Sequence, residues 1–366
     1  MTNQTDVTRL LDGYDVGPLT IGVLGSHSAL EVAAGAHEEG LRTVVVCQRG
    51  REATYTRHFS TLFDDVLVLD RFVDICQPDV IQSLRATRTI FVPNRSFATY
   101  VGYDDIETNF PIPLFGSRTL LRAEERDAKP NQFDLLRTAG IRTPRRFATA
   151  NDIDRLVMVK LPHATVRVER GFFTVGSPAE FHETSEKLIA DGRIRRDDLS
   201  NAIIEEFVVG AQFNLDYFQS PVNGDTEFLG ADQRIETTID GVIHMTADEQ
   251  SVLRTVPSLL PVGHRGVTVR ESLLDQVFDL GERMAGAART YSPPGLIGCF
   301  ALQGVFLETL EFCVFDVSLR VPGAPIVQTT SPYTRYKHGK ELSIGRRIAM
   351  ELVAAREQGK LSACVT

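Results

Sequence analysis

The chain has 366 residues, 43% of them hydrophobic, and a formal net charge of −9 at pH 7. This length predicts two or three domains and a sizeable core, and the acidic balance disfavours general nucleic-acid binding, which needs a basic face. The lack of a long apolar run, and of a basic segment followed by an apolar one at the N-terminus, predicts no membrane span and no signal peptide.

Five cysteines are scattered along the chain without the close spacing of a zinc site. They are Cys47, Cys76, Cys299, Cys313 and Cys364. Reduced cysteines with packing roles are typical of the cytoplasm, and we predict that location.

The first regular pattern is LTIGVLGSHSAL at residues 19–30, which predicts a buried strand, a tight turn and the start of a helix. The helix continues through EVAAGAHEEGL, and RTVVVCQ is the next strand, so this segment predicts a Rossmann-like β-α-β unit. Gly25, Ser26 and His27 follow the first strand, where a helix N-terminus suits a phosphate. A capping or turn role is the alternative for His27, and the lack of G-x-G-x-x-G disfavours a dinucleotide.

A later strand of the same region also ends in polar residues. TIFVP at 89–93 leads into Asn94, Arg95 and Ser96. Because ligands of doubly wound sheets bind beyond the carboxyl ends of the strands, these residues are candidates for the same pocket as His27.

The next part of the chain marks a change of domain. Residues 119–140 have a helical pattern rich in charge, and we place a domain boundary near 120–130. Beyond it, VMVKLP at 157–162 and IIEEFVVG at 203–210 predict strands.

Two later patterns are less specific. The segment EFLGADQRIE predicts a strand that carries Asp232, Arg234 and Glu236 on one face, since side chains alternate along a strand. Apolar residues at helical spacing over 271–291 predict a structural helix.

Residues 297–323 predict a hairpin with strands at 297–307 and 311–320, both rich in Phe, Val, Leu and Cys. A turn midway between them places Gln303 opposite Asp316, with Cβ atoms about 5 Å apart. Two oxygen donors at that distance suit Mg²⁺, which prefers carboxylate and carbonyl ligands together with phosphates. A core hairpin whose polar face meets solvent explains the same residues.

Period-2 alternation puts Ser318 and Arg320 on the face of Asp316. Arg320 would place a permanent positive charge beside an anion that the metal holds.

The segment FDVSLRVPG, at the end of this hairpin, resembles the metal-binding end of an ATP-grasp ligase. Over nearly the whole chain the sequence resembles one family of that superfamily, the archaeal-type, formate-dependent 5-formaminoimidazole-4-carboxamide ribonucleotide synthetases. The segments that carry this resemblance are LGSHSAL (24–30), FVPNRSFATYVG (91–102), PLFGSR (113–118), VMVKLP (157–162), IIEEFVVG (203–210), VRESLLDQVFDLGE (269–282), PPGLIG (293–298) and ELSIGRRIAMEL (341–352).

The resemblance implies an α/β chain, α+β in its C-terminal part. A Rossmann-like domain at 1–124 would face the nucleotide substrate, and an ATP-grasp domain at 125–366 would hold ATP and Mg²⁺ or Mn²⁺, with 157–210 as a smaller, lid-like subdomain. Family members assemble as multimers, so the resemblance also implies a homo-oligomer.

The resemblance further implies a role for individual residues. The predicted metal ligands are Gln303 and Asp316. Charge on the phosphates would be offset by Lys160 and Arg320. The ATP nucleoside would contact Glu205, Glu206, Val208 and Glu236. The second substrate would contact Gly25, Ser26, His27, Ser96, His264 and Arg320, where His264 stands at a position that carries asparagine in the resembling family.

One stretch departs from the family pattern. HATVRVERG at 163–171 has a single glycine, Gly171, where a glycine-rich loop lies over the phosphates, and Arg167 and Arg170 would have to supply charge instead. Three hypotheses follow. They are a formate–amine ligase acting on the purine intermediate or a close analogue, a non-catalytic paralogue that binds nucleotide, and an ATP-grasp ligase that joins another carboxylate.

Overall fold

The computed structural model describes residues 4–125, 128–161, 172–253 and 260–366. In these ranges the chain forms three sheets, one parallel and two antiparallel. The predicted α/β class, with an α+β C-terminal part, is confirmed.

The first sheet has strand order β3-β2-β1-β4, and all its pairings are parallel. Every residue of β1 is buried, as expected of a parallel strand that is covered on both faces. The strands are β1 Thr20–Leu24, β2 Arg42–Gln48, β3 Asp65–Leu69 and β4 Thr89–Phe91. The helices of this part are α1 Gln4–Leu10, α2 Ala29–Glu38, α3 Pro78–Ala86, α4 Arg95–Val101 and α5 Tyr103–Thr108.

A small antiparallel sheet follows, with order β5-β8-β6-β7. Its core is formed by side chains such as Val157, Val159 and Ile204. The strands are β5 Arg146–Phe147, β6 Val157–Lys160, β7 Phe172–Val175 and β8 Ile203–Glu206. The helices before and beside it are α6 Gln132–Thr138, α7 Pro178–Ala190 and α8 Arg196–Leu199.

The large antiparallel sheet has order β11-β10-β9-β12-β13. Its strands are β9 Ala211–Gln219, β10 Thr226–Glu236, β11 Pro261–Val267, β12 Gly298–Phe306 and β13 Phe312–Ser318. The helices of this part are α9 Ile239–Val242, α10 Ala247–Val252, α11 Leu274–Tyr291, α12 Val327–Thr330, α13 Pro332–His338 and α14 Ile344–Glu357.

The two faces of the large sheet have different partners. Leu215 and Tyr217 of β9 belong to one core with residues of α11, whereas Phe218 and Cys299 belong to the core of the first sheet. Because side chains alternate along a strand, Asp216 shares the face of Phe218. This second face is therefore apolar where it meets the first domain and polar further along.

The helix α11 is amphipathic, and Val277, Leu280, Met284 and Ala288 form its buried face. This confirms the structural role that its spacing predicts. Among the residues that the structure describes, no helix has both the length and the apolar character needed to cross a membrane.

The predicted helix over 119–140 is wrong in extent. A 3₁₀ segment spans Arg118–Glu124, and α6 covers only Gln132–Thr138. Pro130 lies between them, and proline has no N–H for a helix interior. Asn131 then caps α6 by accepting hydrogen bonds from Phe133 N and Asp134 N.

The end of the chain returns to the first domain. Helix α14 packs against α2 at Gly35 and Gly345, where an added Cβ would overlap the backbone of the other helix. Leu114 and Thr366 exchange two backbone hydrogen bonds of 3.1 and 3.0 Å. The last part of the 125–366 range therefore shares the core of the first sheet.

Glu31 of α2 is a buried acid at this junction. It is 7% exposed, and its Oε1 accepts a 3.0 Å hydrogen bond from Ile344 N at the start of α14. Burial raises the pKa of Glu31 to about 7, so the folded protein keeps this carboxyl protonated at pH values where an unfolded chain has lost the proton.

We expect Glu31 to make stability fall as pH rises from about 4.5 to 7, because the unfolded state releases a proton that the folded state retains. The loss is about 3 kcal/mol over this window. Denaturant midpoints across it should fall more steeply in the wild type than in Glu31→Gln, which preserves the acceptor for Ile344. Equal pH slopes in the two proteins would contradict the assignment.

Candidate active site

Four polar side chains form a row across the large sheet. Asp232 lies opposite Asn214, Asn214 opposite Gln303, and Gln303 opposite Asp316. Opposed residues of antiparallel strands point to one face, so the row crosses β10, β9, β12 and β13 on the face shared with Asp216. We call these four residues the polar row.

The predicted pairing of Gln303 with Asp316 is confirmed by the strand register. Gln303 is 3% exposed, and its amide nitrogen donates a 3.2 Å hydrogen bond to Ser318 Oγ. Its amide oxygen is buried and has no hydrogen-bond partner in the part of the chain that the structure describes. A buried carbonyl without a partner costs about 1–3 kcal/mol, which suits an atom that receives its partner from a ligand.

These donors fit a hard divalent cation. An unpartnered amide oxygen and a half-buried carboxylate, Asp316, are the ligand types that Mg²⁺ prefers. Within the described ranges there is no group of three or more His, Cys, Asp or Glu side chains that could hold a metal. A cation at the polar row would therefore complete its coordination with water or substrate oxygens.

Arg320 follows β13 and is held by an acid. Its Nε lies 3.3 Å from Glu124 Oε1, and the two side chains are 9% and 5% exposed. Leu319 N donates a 2.6 Å hydrogen bond to the same oxygen, and Arg95 lies 3.3 Å from Glu124 Oε2. Burial lowers the pKa of Arg320. Glu124 thus fixes two arginines at one edge of the site.

The turn between β1 and α2 faces this edge. His27 and Ser28 have positive φ of 29° and 41°, a region that L-residues seldom adopt. Asn94 holds the turn, since its side-chain nitrogen donates to the carbonyls of Leu24, Ser26 and His27 at 3.0, 3.1 and 3.3 Å. The turn therefore depends on a buried asparagine of the neighbouring strand end.

The turn also contacts the segment after β13. Ser28 Oγ donates a 3.0 Å hydrogen bond to Pro322 O, and a Cβ at Gly323 would lie 2.7 Å from the His27 ring. A side chain at position 323 would therefore require the exposed His27 ring to move. These contacts join the first domain to the end of β13.

His27 has a strongly cationic setting. Loss of water around the ring lowers the pKa of His27 to about 3, and the positive charges of Arg320, Arg234 and Arg95 add to this effect. The side chain is nevertheless open to solvent, so it lines a cleft between these groups. His27 is neutral at pH 7, and the arginines make the cleft attractive to an anion such as a phosphate.

The remaining residues predicted on the second-substrate side are Ser96 and His264. Ser96 is buried in the first turn of α4, next to Arg95. His264 Nδ1 lies 2.6 Å from Asp232 Oδ1, at the end of the polar row. His27 lies within electrostatic range of both His264 and Arg320, and the assignment of all three to one substrate pocket stays a prediction.

The residues predicted to contact ATP lie mainly on the small sheet. Lys160 and Glu205 form an ion pair, with side chains 7% and 3% exposed. Glu206 pairs instead with Arg155, at 3.4 Å. Val208 is half-buried just after β8. The positive charge of Lys160 is thus already balanced by Glu205.

Two further predictions concern the large sheet and the phosphate loop. Glu236 ends β10 on the face of Asp232 and Arg234, half-buried. Arg167 and Arg170 lie outside the described residues.

Sequence reasoning missed Asn214, Asp216 and Glu124, and it named Asn94 as a pocket candidate without its role in holding the turn. An alternating signal for Asn214 and Asp216 exists in NLDYF, where two polar residues flank a leucine. No local signal exists for Glu124, because its partners come from distant parts of the chain.

Two family models match the chain. One, described as a domain of unknown function (DUF1297), covers residues 180–366, and one described as a protein of unknown function (DUF1246) covers residues 21–147. Neither description states an activity.

Solved structures define the class. A crystal structure of an IMP biosynthesis protein, PurP, from Thermococcus kodakaraensis matches with a TM-score of 0.70 at 28% identity, covering 94% of this chain and 100% of that one. A biotin carboxylase from Campylobacter jejuni matches with a TM-score of 0.55 at 12% identity, over 91% of this chain and 70% of that one, which shows a shared fold alone. The protein has the ATP-grasp fold and is an ATP-dependent ligase.

Curated relatives define the family. The 5-formaminoimidazole-4-carboxamide-1-(beta)-D-ribofuranosyl 5'-monophosphate synthetase of Methanopyrus kandleri is 43% identical over 366 residues, which is 100% of both chains. The protein of the same name from Methanothermobacter thermautotrophicus is 40% identical over 366 residues, covering 100% of this chain and 99% of that one. The chain belongs to the family of these synthetases.

Gln303→Leu tests the metal assignment. The substitution removes an unpartnered oxygen and one weak hydrogen bond, so we expect stability in EDTA to change by less than about 1 kcal/mol. The thermal shift given by Mg²⁺ with a non-hydrolysable ATP analogue should disappear.

Gln219→Leu is the matched control, a buried glutamine on the other face of the same sheet. Gln219 accepts a 2.7 Å hydrogen bond from Thr226 Oγ1, so its loss should cost about 1–3 kcal/mol while the Mg²⁺ shift remains. A Gln303→Leu protein with an unchanged Mg²⁺ shift would contradict the assignment.

Proposed function

We propose that this protein joins formate to the amine of 5-aminoimidazole-4-carboxamide ribonucleotide, using ATP and passing through formyl phosphate. The observation that carries the proposal is the 43% identity, over the full length of both chains, with the Methanopyrus kandleri relative. That relative is named as the synthetase of the formylated ribonucleotide. The polar row and the cationic cleft beside it supply groups of the kinds that this chemistry needs.

The proposed substrates occupy opposite sides of the cleft. Gln303 and Asp316 would hold Mg²⁺ or Mn²⁺, and the metal supplies charge neutralisation for the transferring phosphoryl group when it is bound. The ribonucleotide phosphate would lie against the β1–α2 turn, where Gly25, Ser26 and His27 begin a helix.

Arg320 would stabilise the developing charge of the acyl phosphate. It is fixed by Glu124 at 3.3 Å, so little reorganisation is needed when that charge appears. Formate attacks the γ-phosphorus and releases ADP, and the amine then attacks the formyl carbon and releases phosphate. The protein needs no covalent nucleophile and acts by positioning and by charge.

ATP binding by the small sheet would reorganise an ion pair. Lys160 can offset phosphate charge only by sharing or leaving Glu205, its buried partner. Glu205, Glu206 and Val208 would line the adenine side, with Glu236 near the ribose. This ion pair favours a second candidate function, a paralogue that binds the ribonucleotide without turning it over.

We also propose a cytoplasmic homo-oligomer that binds neither nucleic acid nor membrane. The support is the net charge of −9, the five unpaired cysteines and the multimeric state of the family that the sequence resembles.

Purified protein with ATP, Mg²⁺, formate and the aminoimidazole carboxamide ribonucleotide should release ADP and phosphate and form the formamide, because each side of the cleft carries groups suited to one substrate. Acetate and glycine in place of formate test a ligase for another carboxylate. Product is measured by absorbance and mass spectrometry.

Arg320→Met should lower turnover by about 10²–10³-fold, the usual effect of losing one transition-state charge partner. Arg335→Met, at an exposed ion pair with Glu341, is the matched control and should keep wild-type turnover. If the wild-type protein binds the ribonucleotide but forms no product with any acid, the non-catalytic paralogue is favoured. If product forms with acetate or glycine and not with formate, formate is not the substrate.

A further inference from the structure

His264 and Asp232 form an oriented pair at one end of the polar row. His264 lies opposite Arg234 in the register of β11 and β10, and its Nδ1 is 2.6 Å from Asp232 Oδ1. Asn214 Nδ2 donates to the same oxygen at 2.9 Å. The carboxyl oxygen thus accepts from two donors, which assigns the ring proton to Nδ1.

The other ring nitrogen is left as a base. With the proton on Nδ1, the Nε2 atom carries a lone pair. The ring is 22% exposed, whereas Asp232 is 1% exposed. Solvent and ligands therefore reach the imidazole but not the carboxylate that orients it.

The pair lies on the same cleft as the groups assigned to substrates. His27 is within electrostatic range of His264, Arg234 and Arg320, so these side chains surround one space. The polar row then runs from Asp232 across two strands to Gln303, a separation of about 10 Å at the usual strand spacing.

We propose that His264 is the general base of the ligation, accepting a proton from the heterocyclic amine on Nε2, and that Asp232 positions its ring. The proposal rests on the function proposed above. The amine nitrogen forms a bond to the formyl carbon, the carbon–oxygen bond to phosphate breaks, and phosphate leaves with that electron pair. The amine proton passes to His264 and from there to water.

The chemistry benefits from such a group, which His264 supplies at a position that carries asparagine in the resembling family. An amine on an aromatic ring that also bears a carboxamide is a weak nucleophile, and its N–H becomes acidic as the new bond forms. A positioned base contributes about 10²–10⁴-fold to a step of this kind. The arrangement of a buried carboxylate, an Nδ1–H and a free Nε2 is the one that makes histidine a base in hydrolase triads.

The other candidates for this role are less suited. His27 Nδ1 lies 3.0 Å from Ser28 Oγ, and its pKa of about 3 makes it a poor proton acceptor at pH 7. Lys160 is paired with Glu205 on the small sheet.

The groups around the pair come from β10, the β1–α2 turn and α12. Arg234 faces His264 from β10, and His27 faces it from the β1–α2 turn. Helix α12, which packs against β11, contributes only uncharged side chains, from Val, Gln and Thr.

Asp216 and Glu31 are both buried and lie within electrostatic range of Asp232. Burial raises the pKa of Asp216 well above its usual range and that of Glu31 to about 7. Of these three acids, Asp232 is the one whose carboxyl oxygen contacts the His264 ring.

Two variants separate the base from its orientation. His264→Asn keeps an N–H near the Nδ1 position for Asp232 but has no second nitrogen. Asp232→Asn keeps the volume and removes the carboxylate. His182→Asn, at an exposed position on α7, is the matched control.

The test measures the two half-reactions separately. Formate-dependent positional isotope exchange in ¹⁸O-labelled ATP reports formyl phosphate formation, and product formation reports transfer to the amine. We expect His264→Asn to keep the exchange and to lose about 10²–10⁴-fold in transfer, and the decline of transfer at acid pH in the wild type to be absent in the variant. Added imidazole should restore part of the transfer rate.

Nitrogen-15 NMR of labelled histidines gives a readout that does not depend on turnover. The His264 signals, identified by their absence in His264→Asn, should show a proton on Nδ1 in the wild type and a shift toward the other tautomer in Asp232→Asn. A ring with its proton on Nε2 in the wild type would overturn the proposal.

Two other outcomes would overturn the assignment of His264 as the base. Exchange and transfer that fall together in His264→Asn would assign a structural role, and unchanged transfer would reject the base. If the wild type shows no formate-dependent exchange, the proposed function is wrong and the base assignment is rejected with it. A loss of transfer confined to the His264 variants is a different result, so the two failures can be told apart.

Discussion

The site depends on one contact between distant parts of the chain. The turn after β1 is bound to the segment after β13 by the hydrogen bond from Ser28 to Pro322 O and by the packing of His27 on Gly323. This contact places the carboxyl edge of the parallel sheet beside the last strand of the large sheet. This contact therefore brings His27 of the first domain to the same cleft as Arg320.

Among the residues that the structure describes, several buried polar atoms in this region have no hydrogen-bond partner. They include the amide oxygens of Gln303 and Asn214, both carboxyl oxygens of Asp216 and Oε2 of Glu31. A buried polar group without a hydrogen bond is costly, and such costs persist where function needs them. Their concentration on one face of the large sheet and on α2 sets this region apart from the well-paired ion network of Arg347, Glu227 and Glu351.

The pairing of Gln303 with Asp316 could be predicted from the sequence because a hairpin is a local structure. Its two strands are adjacent in sequence, so the alternating pattern and the turn limit the register to within about one residue. A register shift between Gln303 and Gly304 then brings Gln303 opposite Asp316, the pair that the sequence predicts. The β-α-β pattern likewise predicts the strand–turn–helix around His27. These are interactions within short stretches of chain.

The rest of the site depends on pairings that a single sequence does not reveal. Asn214 meets Gln303 because β9 pairs with β12, far along the chain. Asn94 fixes the His27 turn through carbonyls about 70 positions away. Lys160 and Glu205 carry opposite charges on neighbouring strands of the small sheet, and their burial together becomes evident only in three dimensions.

The most direct measurement of the central claim is a crystal structure with Mn²⁺, a non-hydrolysable ATP analogue and the aminoimidazole carboxamide ribonucleotide, with Mn²⁺ located by anomalous scattering. The account predicts a manganese peak about 2 Å from Gln303 Oε1 and from an Asp316 carboxylate oxygen, with the ribonucleotide phosphate against the β1–α2 turn. A manganese ion bound away from both side chains, or a ribonucleotide bound outside the cleft between His27 and Arg320, would contradict it.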